Sequence, residues 1–446
     1  MACRRAKLSI KHSQLSAAYE YTVQALEKSL LIKSVVTPDS AVDGAGLSCL
    51  KREGFTQMSQ LLLRPSVFSV TAASSKSLLK LALRKATQLT AQYNLKHFHQ
   101  LNRTMATITV PNKQAAIFYE EKGGPEVLKY TTEFPVPSDI GATEILVKNR
   151  YAGVNFIEVY FRLGVYPATY PYVPGREASG EIVAVGEKVK NFNVGDKIAY
   201  LGNANFCQYT KLDSNKPSII NLGKDATDEQ LKLYAAALLQ GLTALTFVHE
   251  AYAVKEGDYI LVTAASGGVG LILDQLIGKI KKAHVIAVAS TDEKLAKAKA
   301  NGAEFLLNST DLTYEQIGEK VLEITNGKGV DAIFDSIGKD TWETDMKVVK
   351  RKGTIISFGN ASGVVPPLSI NRLSPKNIKI ARPQLFGYIT EPEEFQHYTK
   401  TLFDLINSGE LNIDIFKVFP LKEYPAATTS MEGRKTTGKI VLEIPN

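Results

Sequence analysis

Cysteine is nearly absent from this chain of 446 residues: only Cys3, Cys49 and Cys207 occur, far apart and with no C-x-x-C pair. That excludes a disulfide scaffold and leaves no thiolate set for a structural zinc ion. Long hydrophobic runs are also missing. No stretch of about 18 apolar residues occurs, so a membrane-spanning helix is not expected. The six histidines are His12, His97, His99, His249, His284 and His397. Only His97 and His99 stand close enough in sequence to share a ligand; the histidines read as structural or solvated. No nucleophile elbow and no Ser/His/Asp pattern is present, which sets hydrolase chemistry aside. Internal repeats and low-complexity tracts are lacking as well.

Acidic residues are scarce in one region only. Of 53 Lys and Arg and 45 Asp and Glu, residues 1–104 hold 15 and 5, leaving 38 and 40 for the rest. The net charge of +8 therefore belongs to the first quarter. So does any charge-based argument for nucleic acid. This stretch shows no strand pattern. Its most helix-like piece is 77–93, where Leu78, Leu79, Leu81 and Leu83 alternate with basic residues. Basic, hydroxyl-rich, acid-poor composition is that of an organelle transit peptide. Two plainer readings stand above it. One is disorder without a function of its own. The other is a start set too early, since Met105 opens MATITVPNKQ just before the first strand-like run. A cytoplasmic location is expected, or a mitochondrial one if the extension is a true targeting segment.

The whole chain is 44% apolar and 22% charged, an ordinary globular composition. At ~150 residues per domain its length suggests two or three domains. Short strands at 115–119, 144–151, 178–185 and 197–200, divided by turns such as Lys122-Gly123-Gly124-Pro125, predict a β-rich unit. From about Leu233 the texture changes. Strands at 259–264, 284–289, 330–336 and 354–359 alternate with helices at 269–280, 292–300 and 341–349. Such alternation, with near-continuous apolar strands, predicts an α/β fold whose parallel sheet is covered on both faces. A helix at 392–408 and a strand at 439–443 close the chain.

The most informative run is Tyr259-Ile-Leu-Val-Thr-Ala-Ala-Ser-Gly-Gly-Val-Gly270. A hydrophobic strand ends in small residues and opens a helix, with spacing A-x-x-G-x-x-G over Ala264, Gly267 and Gly270. Glycine suits this turn because a pyrophosphate must approach the backbone closely. The unpaired N–H groups of the helix start and the helix dipole then favour the phosphates. Ser266, Gly267, Gly268, Val269 and Gly270 are the expected cradle. An NAD site usually places an acid about 20 residues further on, against the ribose hydroxyl. That position holds Ser290, followed by Lys294; Asp292 and Glu293 read as first-turn acids of the next helix. A hydroxyl and a cation accept a 2′-phosphate where an acid would repel it. NADPH is therefore favoured over NADH.

Further motifs join the glycine loop. They are Gly153-Val-Asn-Phe-Ile-Glu-Val-Tyr160, Gly164-Val-Tyr166, Pro174-Gly-Arg-Glu-Ala-Ser-Gly180, Gly241-Leu-Thr243, Phe334-Asp-Ser-Ile-Gly338, Ser357-Phe-Gly-Asn-Ala-Ser-Gly363 and Arg382-Pro-Gln-Leu-Phe-Gly387. On these residues the chain from about Gln114 to Ile444 resembles the zeta-crystallin-like NADPH:quinone oxidoreductases, zinc-independent members of the medium-chain dehydrogenase/reductase superfamily. The resemblance implies a GroES-like β-rich substrate domain at 105–236 and 387–446. It implies a doubly wound Rossmann domain at 237–386, inserted between those parts, with the active cleft at the junction. A homodimer is implied as well. Zinc-dependent relatives carry a Cys near the position of Asn155 and a His-Glu pair after Pro-Gly. This chain has Arg176-Glu177 there, and arginine cannot ligate a metal. Without a Lewis acid, the acceptor must already be electrophilic: a quinone or a conjugated enone.

The resemblance also suggests roles. Asn155, Tyr160 and Tyr166 match positions near the nicotinamide; Asn155 would hydrogen-bond the cofactor or simply form a turn. Tyr166 would position the acceptor by stacking or relay a proton through water. Thr243 would face the nicotinamide or merely a helix face. Ser336, Phe358 and Gly359 stand at strand ends where doubly wound folds bind ligands. Lys294 and Arg434 match a 2′-phosphate pocket whose tyrosine position holds Ser309 here. The leading expectation is NADPH-dependent quinone reduction. Reduction of α,β-unsaturated carbonyls and binding of AU-rich RNA are the alternatives, the latter without a recognisable motif.

Overall fold

The computed structural model describes residues 110–446. The basic stretch 1–104, with its helix-like piece 77–93, lies outside the described residues. From there the chain runs in order through β1 (Lys113–Phe118), β2 (Lys129–Pro135), β3 (Glu144–Val154), α1 (Ile157–Arg162), β4 (Glu177–Val185), β5 (Lys197–Leu201), β6 (Tyr209–Asp213) and β7 (Ile219–Gly223). β1 and β2 pair with each other. The rest join a seven-stranded, mostly antiparallel sheet centred on β3 and β4. Its register brings Asn149 into the interior, where its amide bonds the carbonyl of Cys207 at 2.9 Å and its oxygen accepts from Tyr200 at 2.7 Å.

A long helix follows, α2 (Asp228–Thr246). A capping box starts it: Thr227 accepts from the N–H of Gln230, and the Gln230 side chain returns to the N–H of Thr227. Length and apolar composition, counted with the turn that extends α2 to Ala251, would let it cross a membrane. Its contacts with the sheet and with other helices make it a core helix instead. It escaped the sequence reading for that reason: a helix buried on nearly all sides shows little amphipathic period.

The parallel part comprises β8 (Tyr259–Thr263), α3 (Gly268–Asp274), β9 (His284–Ala289), α4 (Asp292–Ala300), β10 (Phe305–Asn308), α5 (Tyr314–Ile324), β11 (Val330–Asp335), α6 (Trp342–Val348), β12 (Val349–Ser357) and β13 (Lys379–Ala381). Strand order is β10-β9-β8-β11-β12-β13, all parallel. The order reverses between β8 and β11, and ligands bind outside the carboxyl ends of the strands at such a switch point. β11 is buried along its whole length, as a strand with helices on both faces must be. The chain ends with α7 (Leu385–Tyr388), α8 (Pro392–Asn407), β14 (Ile415–Pro420), α9 (Tyr424–Glu432) and β15 (Lys439–Glu443). β14 and β15 return to the seven-stranded sheet beside β3.

The doubly wound sheet and the β-rich sheet are as expected from the alternation of elements. The expected domain limits, 236/237 and 386/387, both fall inside helices, α2 and α7. α8 also packs on α2, with Tyr234 and Phe403 stacked at 4.1 Å. Composition cannot see such a border, because one apolar helix serves both layers. Short strands β6, β7, β10 and β13 were missed because three to five residues show too little period.

Candidate active site

The ends of β8, β9, β11 and β12 form the floor of the cofactor side. After β8 the backbone turns sharply, with Ala264 in the left-handed region at φ 48°. A Cβ at Gly270 would lie 2.5 Å from the carbonyl oxygens of both Ala264 and Ala265, so glycine is required there. A Cβ at Gly268 would meet the side chain of Gln240 at 2.0 Å. Gln240, on α2, thus lines the cradle, a residue that sequence reasoning missed. The 434–439 segment crosses above: the N–H of Gly438 donates to the carbonyl of Ser266 at 2.9 Å, and Gly267 bridges Gly438. Val269 is half-buried and packs against the core below.

At the end of β9, Lys294 Nζ donates to Ser290 Oγ at 2.9 Å and to the carbonyl of Arg434. Burial and the nearby Arg434 charge pull the Lys294 ammonium below its ordinary value. Arg434 is exposed, and its guanidinium makes no hydrogen bond or ion pair among the described residues. Asp292 is turned aside, accepting from Asn308 Nδ2 at 2.9 Å. Two cations and a hydroxyl therefore meet at this strand end. Ser309 reaches only the carbonyl of Ala289. Tyr314, at the start of α5, lies within electrostatic reach of Arg434.

Across the switch point, the buried carboxylate of Asp335 ties the strand ends together. It accepts from Thr263 Oγ1 (2.8 Å), Thr341 Oγ1 (2.9 Å), and the N–H groups of Ile337 and Gly338. Ser336 donates its N–H to Thr263 Oγ1 at 3.0 Å. Arg382 holds the end of β12 through the carbonyls of Ser357 and Gly359. Phe358 is edge-on to Phe247 at 5.3 Å. Both Asp335 and Arg382 sat in motifs of the sequence, yet their positioning work needed the strands to be brought together.

The facing wall comes from α1 and the loop behind it. The N–H of Asn360 donates to Tyr160 Oη at 2.6 Å, a direct tie from α1 to the end of β12. Tyr166 stands edge-on to Tyr160 at 5.7 Å, half-buried, with no partner for its hydroxyl among the described residues. Thr243 spends its hydroxyl proton on the carbonyl of Leu239, one turn back on α2 (2.6 Å), the helix-face alternative.

Asn155 needs correction. Its side chain is buried and fully engaged inside the protein. Nδ2 donates to Glu177 Oε1 at 2.7 Å and to the carbonyl of Gly153, and Oδ1 accepts from Lys439 Nζ at 2.8 Å. Lys439 is also ion-paired with Glu177; both are buried. The amide is therefore a strut of a buried ion pair, and none of its donors is left for a cofactor. Lys439 lies 284 residues away in the chain, so no local spacing announced it.

Two family profiles match the chain: one described as alcohol dehydrogenase GroES-like domain over residues 141–262, the other as zinc-binding dehydrogenase over 268–404. A probable quinone oxidoreductase of Schizosaccharomyces pombe is 44% identical over 314 residues, covering 70% of this chain and 91% of that protein. The chain belongs to the quinone oxidoreductase family. Escherichia coli quinone oxidoreductase, solved in complex with NADPH, superimposes with a TM-score of 0.69 at 34% identity, covering 74% of this chain and 99% of that one. A 2-haloacrylate reductase of a Burkholderia species is 34% identical over 74% of this chain and 98% of its own length.

The zinc in one profile's description does not suit these residues. An ammonium group, Lys439 Nζ, sits between Asn155 and Glu177, and a cation cannot share that place. Arg176 beside them offers only donors. The dinucleotide does suit the residues: a cradle that a Cβ would fill, and cations where an extra phosphate would lie.

Proposed function

We propose that this chain reduces quinones with NADPH, without a metal. The observation that carries the proposal is the pairing of the Gly267–Gly270 cradle with Lys294, Ser290 and Arg434 at the end of β9. When bound, NADPH supplies the hydride. The chain's own residues do the rest. The N–H groups at the start of α3 and the cations of Lys294 and Arg434 hold the phosphates. Ser336, Phe358 and Gly359 shape the floor of the cleft, with Thr243 beside them. Tyr160 and Tyr166 present ring faces and a free hydroxyl to a flat acceptor.

Side-by-side titrations with NADPH and NADH test the cofactor; tighter NADPH binding is expected, and equal affinities would overturn the reading. A second acceptor class is favoured by the likeness to a 2-haloacrylate reductase: activated alkenes. Turnover of an ortho-quinone against a 2-alkenal ranks the two, with the quinone expected to be faster. The same proposal includes a homodimer. Exposed apolar side chains Val364 (62%) and Ile370 (77%) lie in the segment between β12 and β13, where edge strand β13 leaves one side unpaired. Light scattering checks it, and a monomer at micromolar concentration would exclude it. A cytoplasmic location, or a mitochondrial one if residues 1–104 target the chain, is checked by sequencing the N-terminus of native protein.

A further inference from the structure

Two carboxyl groups behind the cleft have opposite surroundings. Glu177 is satisfied by Lys439, the Asn155 amide and the backbone N–H of Leu239 at 2.7 Å. Glu158, on α1, is 1% exposed, and no side chain among the described residues hydrogen-bonds or ion-pairs with its oxygens. Burial pushes its carboxyl up to about 7, against the pull of Arg176, the backbone N–H of Gly175 and Lys439. Burial without a matching cation or donor favours the neutral acid form of Glu158.

Two more buried polar atoms, Tyr119 Oη and Arg176 Nε, are also without partners. Arg176 is the strongest charge acting on Glu158, and Glu158 in turn acts on Tyr119 and Tyr172. Arg176 Nη2 donates to Tyr172 Oη at 3.2 Å, and the rings of Tyr172 and Tyr119 lie 5.2 Å apart. Buried polar atoms left without partners are the setting in which a buried water is held rather than excluded. From Tyr172 the aromatic rings lead outward. Tyr172 stacks on Phe161 at 5.4 Å, and Phe161 packs on Tyr166 at 5.5 Å. Arg176 and Tyr172 are half-buried, whereas Glu158 is closed off.

We propose that Glu158 is the proton reservoir of the reduction, a neutral acid that discharges past Arg176 and Tyr172 to the oxygen of the reduced acceptor. The proposal rests on the quinone reading above. Hydride addition leaves the acceptor as an anion with two more electrons. An O–H bond then forms at the anionic oxygen as the O–H bond of Glu158 breaks, with one water carrying the proton between them. The carboxylate left behind faces Arg176 and is reprotonated from solvent. The other charged groups around Glu158 are Glu177 on β4, Lys439 on β15 and Tyr424 at the start of α9, with Arg162 one turn on along α1.

The test uses the full chain with Glu158→Gln, which keeps the shape and removes the proton. Quinone turnover should fall about tenfold, less than the roughly hundredfold usual for loss of a general acid, because a quinol anion is weakly basic. Wild-type kcat should decline as pH rises through about 7, and the variant should lose that decline. NADPH affinity should not move. Glu158→Asp, which restores an acid, should recover part of the decline. Infrared spectra supply a readout free of cofactor: a protonated-carboxyl stretch present in the wild type at pH 6 and missing from the Gln variant. Unchanged turnover and pH profile in Glu158→Gln, or no such infrared difference, would overturn the proposal. Wild-type protein that oxidises no NADPH with any quinone would instead overturn the functional reading, and the infrared result would still stand by itself.

Discussion

The two walls of the cleft are built on different principles. The cofactor wall is made of backbone shape and partly exposed cations: glycines at the end of β8, Ser290 and Lys294 at the end of β9, and Arg434 above. The acceptor wall is made of buried charge and stacked rings, with Lys439, Glu177 and Glu158 closed off behind Tyr160, Tyr166 and Tyr172. A shape-based site tolerates loss of one contact, whereas buried charge is costly to leave unmatched. Substitutions in the acceptor wall should therefore cost more stability, and those in the cofactor wall more affinity.

The largest effect is expected at Lys439. Lys439→Met leaves Glu177 buried with no counter-ion and should destabilise by about 3–5 kcal/mol. Adding Glu177→Gln should recover most of that loss, because the pair is removed together. Denaturant unfolding of the single and double variants checks it. A double variant as weak as the single one would break the comparison.

Glu158 follows. A carboxyl raised in the folded state favours folding below its unfolded value and loses that contribution as pH rises through the folded one. The window here runs from 4.5 to about 7. Stability of the wild type should fall across it, by a total on the order of 3 kcal/mol at pH 8. Glu158→Gln should show no such fall, melting near the wild type at pH 5 and above it at pH 8. Parallel slopes for both proteins would show that the carboxyl is hydrated and unshifted.

The difference between the walls also explains what the sequence made legible. The glycine loop, Ser290 and Lys294 lie within 31 residues of one another, so local spacing carried them. Asn155 was misread because its partners Glu177 and Lys439 come from strands 22 and 284 residues away. Glu158 and Arg176 drew no attention as a pair, because being unpartnered is a property of the packed interior. Gln240 entered the cradle only once α2 was seen to lie against Gly268.

Two glycines sharpen the shape argument. Gly270→Ala drives a methyl into two backbone carbonyls and should cost about 1–3 kcal/mol together with NADPH binding. Gly268→Ala meets only the end of Gln240, which can swing away, so its loss should be smaller. Thermal melts and cofactor titration of both check the order. Lys294→Ala should leave stability nearly unchanged yet weaken NADPH about tenfold to a hundredfold, the loss of one charge-assisted bond of about 1.5–3 kcal/mol. NADH affinity should stay within a factor of about two, because no phosphate is lost there.

The smallest expected effect lies at a direct tie between the walls, Tyr160 to the N–H of Asn360. Tyr160→Phe keeps the ring, its edge-on contact with Tyr166 and its burial. It removes only the acceptor, leaving the half-buried Asn360 N–H unpaired at a cost of about 1 kcal/mol. A melting temperature lower by about 2 °C is expected for a chain of this size. Hydrogen exchange locates the loss: residues 358–362 should exchange faster while the glycine loop at 265–270, pinned by Gly438, stays protected. Faster exchange at both places would mean that the tie holds the cofactor wall as a whole, and that the two walls are one mechanical unit.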